Sequence, residues 1–299
     1  MQAGKVDWVA RGVRRVLAPN PSPMTGPGTN TYILGTGAVI LVDPGPQNGA
    51  HQAALLAALA PGERIALILV THAHLDHSAA APALSAATGA RVLAFGDATS
   101  GRSGPMQRLV RAGVTGGGEG VDTLFRPDVL VEDAEQVMAG DTTVRVIHTP
   151  GHMGGHICLA FGDVLITGDH AMGWASSLIS PPDGDMGAYM ASLARLASGR
   201  WSVMLPGHGE QVDEVAARLE ALRSHRRSRE TAILDVLARG PATAATLAAR
   251  IYLDAPPLLM PAATRNVLAH LLDLTLRNLT TTPDLPGPEA LFQRRLPAP

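Results

Sequence analysis

The sequence predicts an α/β chain: a large first unit in which short apolar strands alternate with helices, then a smaller and mostly helical unit. Three observations carry this reading. Apolar runs of strand length, such as Ile65-Ala66-Leu67-Ile68-Leu69-Val70 and Val164-Leu165-Ile166, each stop at polar or glycine residues. Segments between them space their apolar residues as helices do. Near residue 223 the charge changes sign: the first 222 residues carry fourteen basic and twenty acidic side chains, and the remainder carry ten and six.

In chain order, Trp8-Val9 reads as an early strand and Leu41-Val42-Asp43 as a second, turning at Pro44-Gly45. A helix is predicted over Ala53–Leu59, then the Ile65–Val70 strand. The next helix is expected over Ser78–Thr88 with Gly89 as its stop, and Arg91–Phe95 as the strand after it. Gly116-Gly117-Gly118 is not followed by Lys-Ser or Lys-Thr, so a flexible loop is expected rather than a phosphate cradle. Strands Val144–His148, His156–Ala160, Val164–Asp169 and Val203–His208 follow, with helices over Met186–Leu196 and Val212–Leu222.

The chemistry concentrates at strand ends. Thr71-His72-Ala73-His74-Leu75-Asp76-His77 directly follows the Ile65–Val70 run, so three imidazoles and a carboxylate fall within six residues. Alternate residues of an extended backbone share a side, so His72 and His74 can converge on one ion. Asp76 and His77 sit where the chain turns away, within reach of a second ion. Burying such groups without partners is costly, so packing alone does not account for the set. Further candidates arrive in order: His152 in the turn after Val144–His148, Asp169 ending Val164–Asp169, and His208 ending Val203–His208. Imidazole and carboxylate ligands at strand ends are what a zinc-type site needs, and they also suit iron.

These motifs resemble the metallo-β-lactamase superfamily. The resemblance is carried by Leu41-Val42-Asp43-Pro44-Gly45, the His72–His77 segment, His152, Asp169 and His208, in the family's order across about the first 220 residues. It implies an αββα sandwich with two metals in a cleft at the sheet edges. One metal would take His72, His74 and His152, the other Asp76, His77 and His208, with Asp169 bridging. Two zinc ions are expected, with iron or manganese as alternatives. Asp43 matches a residue that supports such a cluster from behind, although capping the turn at Pro44-Gly45 is an equal reading. A dinuclear site hydrolyses esters, thioesters or phosphodiesters without a serine or cysteine nucleophile, and Asp76 is expected to orient the attacking water and relay its proton.

Within this set, Trp174 and His170 lie close to Asp169 in sequence. Trp174 is expected either to stack on substrate or to fill space under its loop, and His170 either to donate to substrate or to pack behind the metals. His148 and His156 flank the His152 turn and are expected to be structural. No chemistry is assigned to Pro181-Pro182-Asp183-Gly184-Asp185.

Cys158 is the only cysteine, so an intramolecular disulfide is impossible and a buried strand position is expected. The commonest zinc β-lactamases place cysteine where Asp169 stands, so the resemblance disfavours an antibiotic-degrading enzyme. No apolar stretch reaches the roughly 18 residues of a membrane span. The first residues lack the apolar core of a secretion signal, and Arg11, Arg14 and Arg15 are a weak match to an organelle presequence because Asp7 and the Trp8-Val9 strand interrupt it. A cytoplasmic location is expected.

Residues 1–222 are thus expected to form the catalytic domain and residues 223–299 a second domain. In the tail, helices are predicted over Arg229–Ala238, Thr243–Tyr252 and Ala262–Leu274, and short strands over Leu276–Thr281 and Phe292–Arg295. Three helices and a two-stranded wing make a winged-helix module. No linker marks its start, because Val215, Leu219 and Leu222 could continue as one helix into Ile233 and Leu237. Leu17-Ala18-Pro19-Asn20-Pro21-Ser22-Pro23, Gly28-Thr29-Asn30-Thr31-Tyr32 and the Ser224–Glu230 segment are similar to the β-lactamase-like protein 2 branch, whose animal members cleave single-stranded RNA. That implies either single-stranded RNA or a small ester or thioester as substrate. Arg223, Arg226, Arg227 and Arg229 form the one basic cluster that could neutralise phosphates, with a solvated helix face or pairing with the acidic first unit as the competing reading, and aromatic residues, at 3%, are too few for an extended stacking platform. Two other classes compete with the hydrolase: an iron redox enzyme on the same fold, and a nucleic-acid-binding winged helix with the metal domain as scaffold. An exposed apolar surface on the tail would permit a homodimer.

Overall fold

Strand β4 (Ala38–Val42) shows how the sandwich is built, because both of its faces are buried. Ile40 and Val42 enter one apolar core, and Val39 and Leu41 enter another. The computed structural model describes residues 1–116, 120–283 and 285–295. In it, β1 (Val6–Ala10), β2 (Val13–Leu17), β3 (Asn30–Leu34), β4, β5 (Arg64–Leu69), β6 (Arg91–Ala94) and β7 (Val129–Leu130) form one sheet in sequence order. Its first four strands are antiparallel neighbours and the rest are parallel. The second sheet has the order β12-β11-β10-β9-β8. Its strands are β8 (Gln136–Ala139), β9 (Thr142–His148), β10 (Ile157–Phe161), β11 (Val164–Gly168) and β12 (Val203–Pro206).

Between the sheets, Val42 and Leu69 meet Val146, Leu159, Ile166 and Leu205. The outer face of the first sheet is covered by α1 (Gly49–Ala57) and α3 (Ala81–Thr88) through Leu55 and Leu84. The outer face of the second is covered by α5 (Met186–Ala197) and α6 (Val215–Leu237) through Tyr189, Leu193 and Leu219. The result is the expected αββα layering. Cys158 lies fully buried on this outer face, where burial pushes its thiol up to about 12.

Several local expectations are corrected. Helix α1 begins at Gly49 rather than Ala53, because the Asn48 side chain accepts from the His51 N–H and caps it there. The helix expected over 78–88 is two: α2 (Leu75–Ser78), then α3, whose start falls beside Pro82, a residue with no N–H to continue the first. Gly89 ends α3 in the left-handed conformation (φ +73°), as expected of a glycine stop. The helices expected over 212–222 and 229–238 are one continuous α6 of 23 residues, so residue 223 lies inside a helix. Gly117 and Gly118 lie outside the described residues; Gly116 follows α4 (Gly104–Arg111) in a loop.

The C-terminal part packs α7 (Ala244–Ile251) and α8 (Met260–Leu276) against the end of α6 around Ile233, Leu247, Val267, Leu271 and Phe292. The wing is β13 (Thr280–Thr281) paired with β14 (Gln293–Arg294). It is shorter than the sequence implied because α8 extends to Leu276. Arg14 and Arg15 are buried in β2, where Arg14 pairs with Glu63 at 2.8 Å and Arg15 with Glu210 at 3.0 Å. Among the described residues no helix is long and apolar enough to cross a membrane.

Candidate metal centre

Four strand ends deliver the polar cluster to one edge of the sandwich. After β5, His72 lies in a bend and His74 in extended chain, with Asp76 and His77 in α2; His152, Asp169 and His208 follow β9, β11 and β12. His72, His74, His152 and Asp169 form one group and Asp76, His77 and His208 a second, the ligand atoms of each lying within 4.8 Å of one another. All seven predicted residues are therefore brought together. His72 Nε2 lies 2.9 Å and His152 Nε2 3.1 Å from His74 Nδ1. Asp169 spans the groups, with Oδ1 3.3 Å from His77 Nε2 and Oδ2 3.3 Å from His208 Nε2 and 3.9 Å from His152 Nε2. Asp76 Oδ2 is 3.2 Å from His208 Nε2.

The outward ring nitrogens explain why the inward ones face each other. His152 Nδ1–H donates to the Leu178 carbonyl at 2.7 Å and His208 Nδ1–H to the Gly28 carbonyl at 3.1 Å. His77 Nδ1–H donates to Asp43 Oδ2 at 2.8 Å. Thr71 Oγ1 donates to the same Asp43 oxygen at 2.8 Å and so accepts from His72 Nδ1 at 3.0 Å. With these protons turned outward, the Nε2 atoms all face inward. His72 and His152, lowered by burial, present lone pairs. Against burial, Asp76 and Asp169 raise His77 and His208 above ordinary imidazoles and draw their Nε2 toward the carboxylates. Of the two contacts to His74 Nδ1, at most one can be a hydrogen bond. The buried Asp169 Oδ1 has no hydrogen-bond partner among the described residues. Crowded lone pairs and an orphaned carboxylate oxygen form a donor set that a pair of cations satisfies.

Charge divides the cluster in two. Burial, then the neighbouring imidazoles, hold His72 well below its ordinary value and His74 at about 3. Burial also opposes charge on His208, but Asp169 and Asp76 outweigh it and raise this ring to about 9. Despite burial, Asp76 and Asp169 are held below the usual carboxylate range by His77 and His208.

Backbone geometry at two positions makes the approach possible. Asp43 adopts φ +52°, which turns its carboxylate back onto Thr71 and His77. A Cβ on Gly207 would stand 2.4 Å from Asp169 Oδ1 and 2.7 Å from His77 Cε1, so only glycine fits. The 28–32 segment, singled out in the sequence without a role, braces these loops. Gly28 accepts from His208, and Thr29 Oγ1 donates to Asp76 at 3.4 Å. Asn30 holds the Pro206 and Gly209 carbonyls, and Tyr32 also donates to Pro206. Sequence reasoning missed Thr29 and Thr71 as contributors; a hydroxyl beside an apolar run gives no periodic signal.

The cluster floors a cleft of about 560 Å³. Trp174 lines it, half exposed, and lies over Gly26 and Gly209. His170 does not line it. It is fully buried, its ring 4.7 Å from Tyr189 and 5.7 Å from His156, which is the packing position, one of its two expected roles. His148 stacks on Phe95 at 3.9 Å, and His156 bonds Thr149. In the 181–185 turn, Asp183 pairs with Arg102, and Asp185 caps α5.

The fold gives the four arginines of the basic cluster different surroundings. Arg226 is buried, Arg223 and Arg227 both reach Glu220, and Arg229 lies over the Tyr252 ring at 4.4 Å. Only Arg226 is withdrawn from the surface; Arg223 and Arg227 share one carboxylate, so pairing with Glu220 offsets part of their charge.

Fold and site together define a two-sheet α/β protein with a histidine–aspartate cluster of metal-ligand composition in its cleft. The chain belongs to the metallo-beta-lactamase superfamily, whose members are generally hydrolases: residues 24–208 match that family and residues 243–282 match the beta-lactamase associated winged helix domain. A beta-lactamase-like protein 2 homolog of Drosophila melanogaster is 31% identical over 277 residues, covering 89% of this chain and 88% of the relative. An atrochrysone carboxyl ACP thioesterase of Aspergillus fumigatus is 31% identical over 238 residues, covering 77% and 66%. The crystal structure of a metallo-beta-lactamase family protein from Thermus thermophilus superposes with a TM-score of 0.76 at 25% identity, covering 96% of this chain and 100% of that one. A structure solved in a di-iron-bound form has a TM-score of 0.51 at 26% identity, covering 69% and 97%.

Proposed function

We propose that this protein is a dinuclear metal-dependent hydrolase of ester, thioester or phosphodiester bonds. One observation carries the reading: imidazole nitrogens and two carboxylates from four strand ends converge on the floor of an open cleft. His72, His74 and His152 would hold one ion and Asp76, His77 and His208 the other, with Asp169 between them. Zinc is the proposed metal; iron and manganese suit the same donors, and a similar fold is solved with two irons. When bound, the cations supply Lewis acidity and lower the pKa of water toward about 7.

The chain's own residues then orient and move protons. Asp76 lines the cleft, takes the Thr29 hydroxyl and the His208 ring on Oδ2, and is placed to accept the proton of the attacking water. Asp43 supports the cluster by fixing the His77 ring and, through Thr71, the His72 ring. Trp174 stands at the cleft where it can cover a bound substrate. Similarity to a carboxyl ACP thioesterase supports a carbonyl substrate.

The test pairs wild type with Asp76→Ala on a glutathione thioester, an aryl phosphodiester and single-stranded RNA, with metal content measured on protein purified without added metal. Activity present in wild type and lost in the variant is the expected result. Stoichiometric iron with oxygen consumption and no hydrolysis would replace this reading with a redox enzyme.

A further inference from the structure

The C-terminal domain reaches the cleft that the metal cluster floors. Tyr252, Leu259, Ala262 and Asn266 line it together with Trp174 and Leu178. The segment between Tyr252 and Leu259 also exposes Leu253 (79%) and Leu258 (74%), and Trp174 is 47% exposed. Apolar side chains left in solvent around an apolar chamber mark a binding surface for an apolar group.

Nearby cations do not point into this chamber. Arg218 donates to the Met172 and Ala175 carbonyls at 2.7 and 2.9 Å. Arg226 donates to Ser177 O and to Asn266 Oδ1, and Arg265 to Ser180 Oγ and Pro181 O. All three guanidiniums are spent on holding the loop after Asp169. Asn266 adds a bond from the Ile179 N–H at 3.0 Å, and the next carbonyl back, Leu178, is the one that fixes His152. No arginine or lysine is among the described residues lining the cleft. A polyanion entering it would meet no compensating charge beyond the metals.

We infer that the C-terminal domain is the specificity wall of the site and that the substrate is a carboxylic ester or thioester whose acyl or aryl group is apolar. The inference rests on the hydrolase reading and names its substrate class. The chamber volume, about 560 Å³, accommodates a group far larger than acetyl. Each methylene buried against Leu259, Leu178 and Trp174 should raise kcat/KM by about fourfold until the chamber is full.

The test uses the metal-loaded full chain and p-nitrophenyl esters from acetate to octanoate, with a single-stranded RNA oligonucleotide in parallel. Octanoate, six methylenes longer, should be favoured over acetate by roughly 30-fold if two or three of them are buried and by up to roughly 4,000-fold if all six are. Leu259→Asp, at a half-buried position, should lower that ratio by about tenfold. Ala262→Phe, which fills the chamber instead, should shift the preference to shorter esters. Binding of a dansylated undecanoate, followed by its emission, gives a readout independent of turnover and should weaken in both variants.

Ester hydrolysis with no dependence on acyl length, and dansyl-fatty-acid binding unmoved by either variant, would overturn the inference while leaving the hydrolase reading intact. RNA cleaved in preference to every ester would also overturn it. Failure of the metal-loaded protein to hydrolyse any ester or RNA would remove both.

Discussion

Asp43 Oδ2 lies 2.8 Å from His77 Nδ1, an ion-pair contact between residues 34 positions apart that requires Asp43 to adopt a backbone φ of +52°. A non-glycine residue in that region is uncommon, and here the strained turn aims the carboxylate at both His77 and Thr71. Asp43→Asn tolerates the same backbone but loses the negative charge. Metal affinity should fall by roughly 10- to 100-fold, read by competition with a chromophoric chelator. Unchanged affinity would reduce Asp43 to a turn-capping role.

Gly207 offers a steric test of the cluster. Gly207→Ala places a methyl group 2.4 Å from Asp169 Oδ1, so that carboxylate must move. Metal content after dialysis should drop and hydrolytic activity fall at least about tenfold, while the far-ultraviolet circular dichroism stays that of a folded protein. Full metal occupancy in this variant would show that Asp169 has freedom the packing denies it.

Metal removal should also lower stability, because cations bound by a preformed donor set favour the folded chain. Chelator treatment is expected to lower the melting temperature, and re-addition of zinc to restore it. A melting temperature indifferent to metal would mean that nothing binds at these seven residues.

Arg226 links the two domains from inside the protein. It is 1% exposed, donates to Asn266 Oδ1 and Ser177 O, and stacks over Tyr189 at 5.2 Å. Arg226→Ala leaves both acceptors without this donor and opens a void, and should cost about 3 kcal/mol by urea unfolding. Lysine should not restore it, since one ammonium cannot serve the fork of contacts.

Glu63 and Arg14 form a pair whose side chains are 7% and 5% exposed. Although burial opposes its charge, hydrogen bonds and attraction from Arg14 lower the Glu63 pKa. A depressed carboxylate stabilises the fold above its unfolded value, near about 4.3, and that contribution disappears as pH falls through the lower folded value. Metal-free Glu63→Gln should therefore melt below wild type at pH 7, by on the order of 2 kcal/mol, with the gap narrowing below about pH 4. A gap that persists or widens in acid would contradict the assignment.

Much of this molecule was legible along the chain. A strand is a local pattern, and the residue that ends it inherits a fixed place at the sheet edge, so His72, His74, Asp76, His77, His152, Asp169 and His208 could be singled out from their neighbours alone. Helix limits were less legible: α1 starts early because of the Asn48 side chain, and α2 and α3 divide at a proline that the apolar spacing ignores. The arginines at 223–229 read as a basic patch because a sequence shows charge but not partners; Glu220, the Ser177 carbonyl and the Tyr252 ring claim them only in three dimensions.

What the sequence determined by itself was the chemical identity of the donor set, since nitrogen and oxygen lone pairs at strand ends follow from residue type and local periodicity. The tertiary structure decided which ring nitrogen faces inward, which hydroxyl braces which ring, and what closes the cleft above. Gly28 meets His208, Thr29 meets Asp76, and Leu259 faces the same cleft as Asp169, across separations that no local pattern encodes. Such contacts are fixed by how the layers pack, because packing satisfies each buried polar group and fills each apolar gap only once the whole chain is in place.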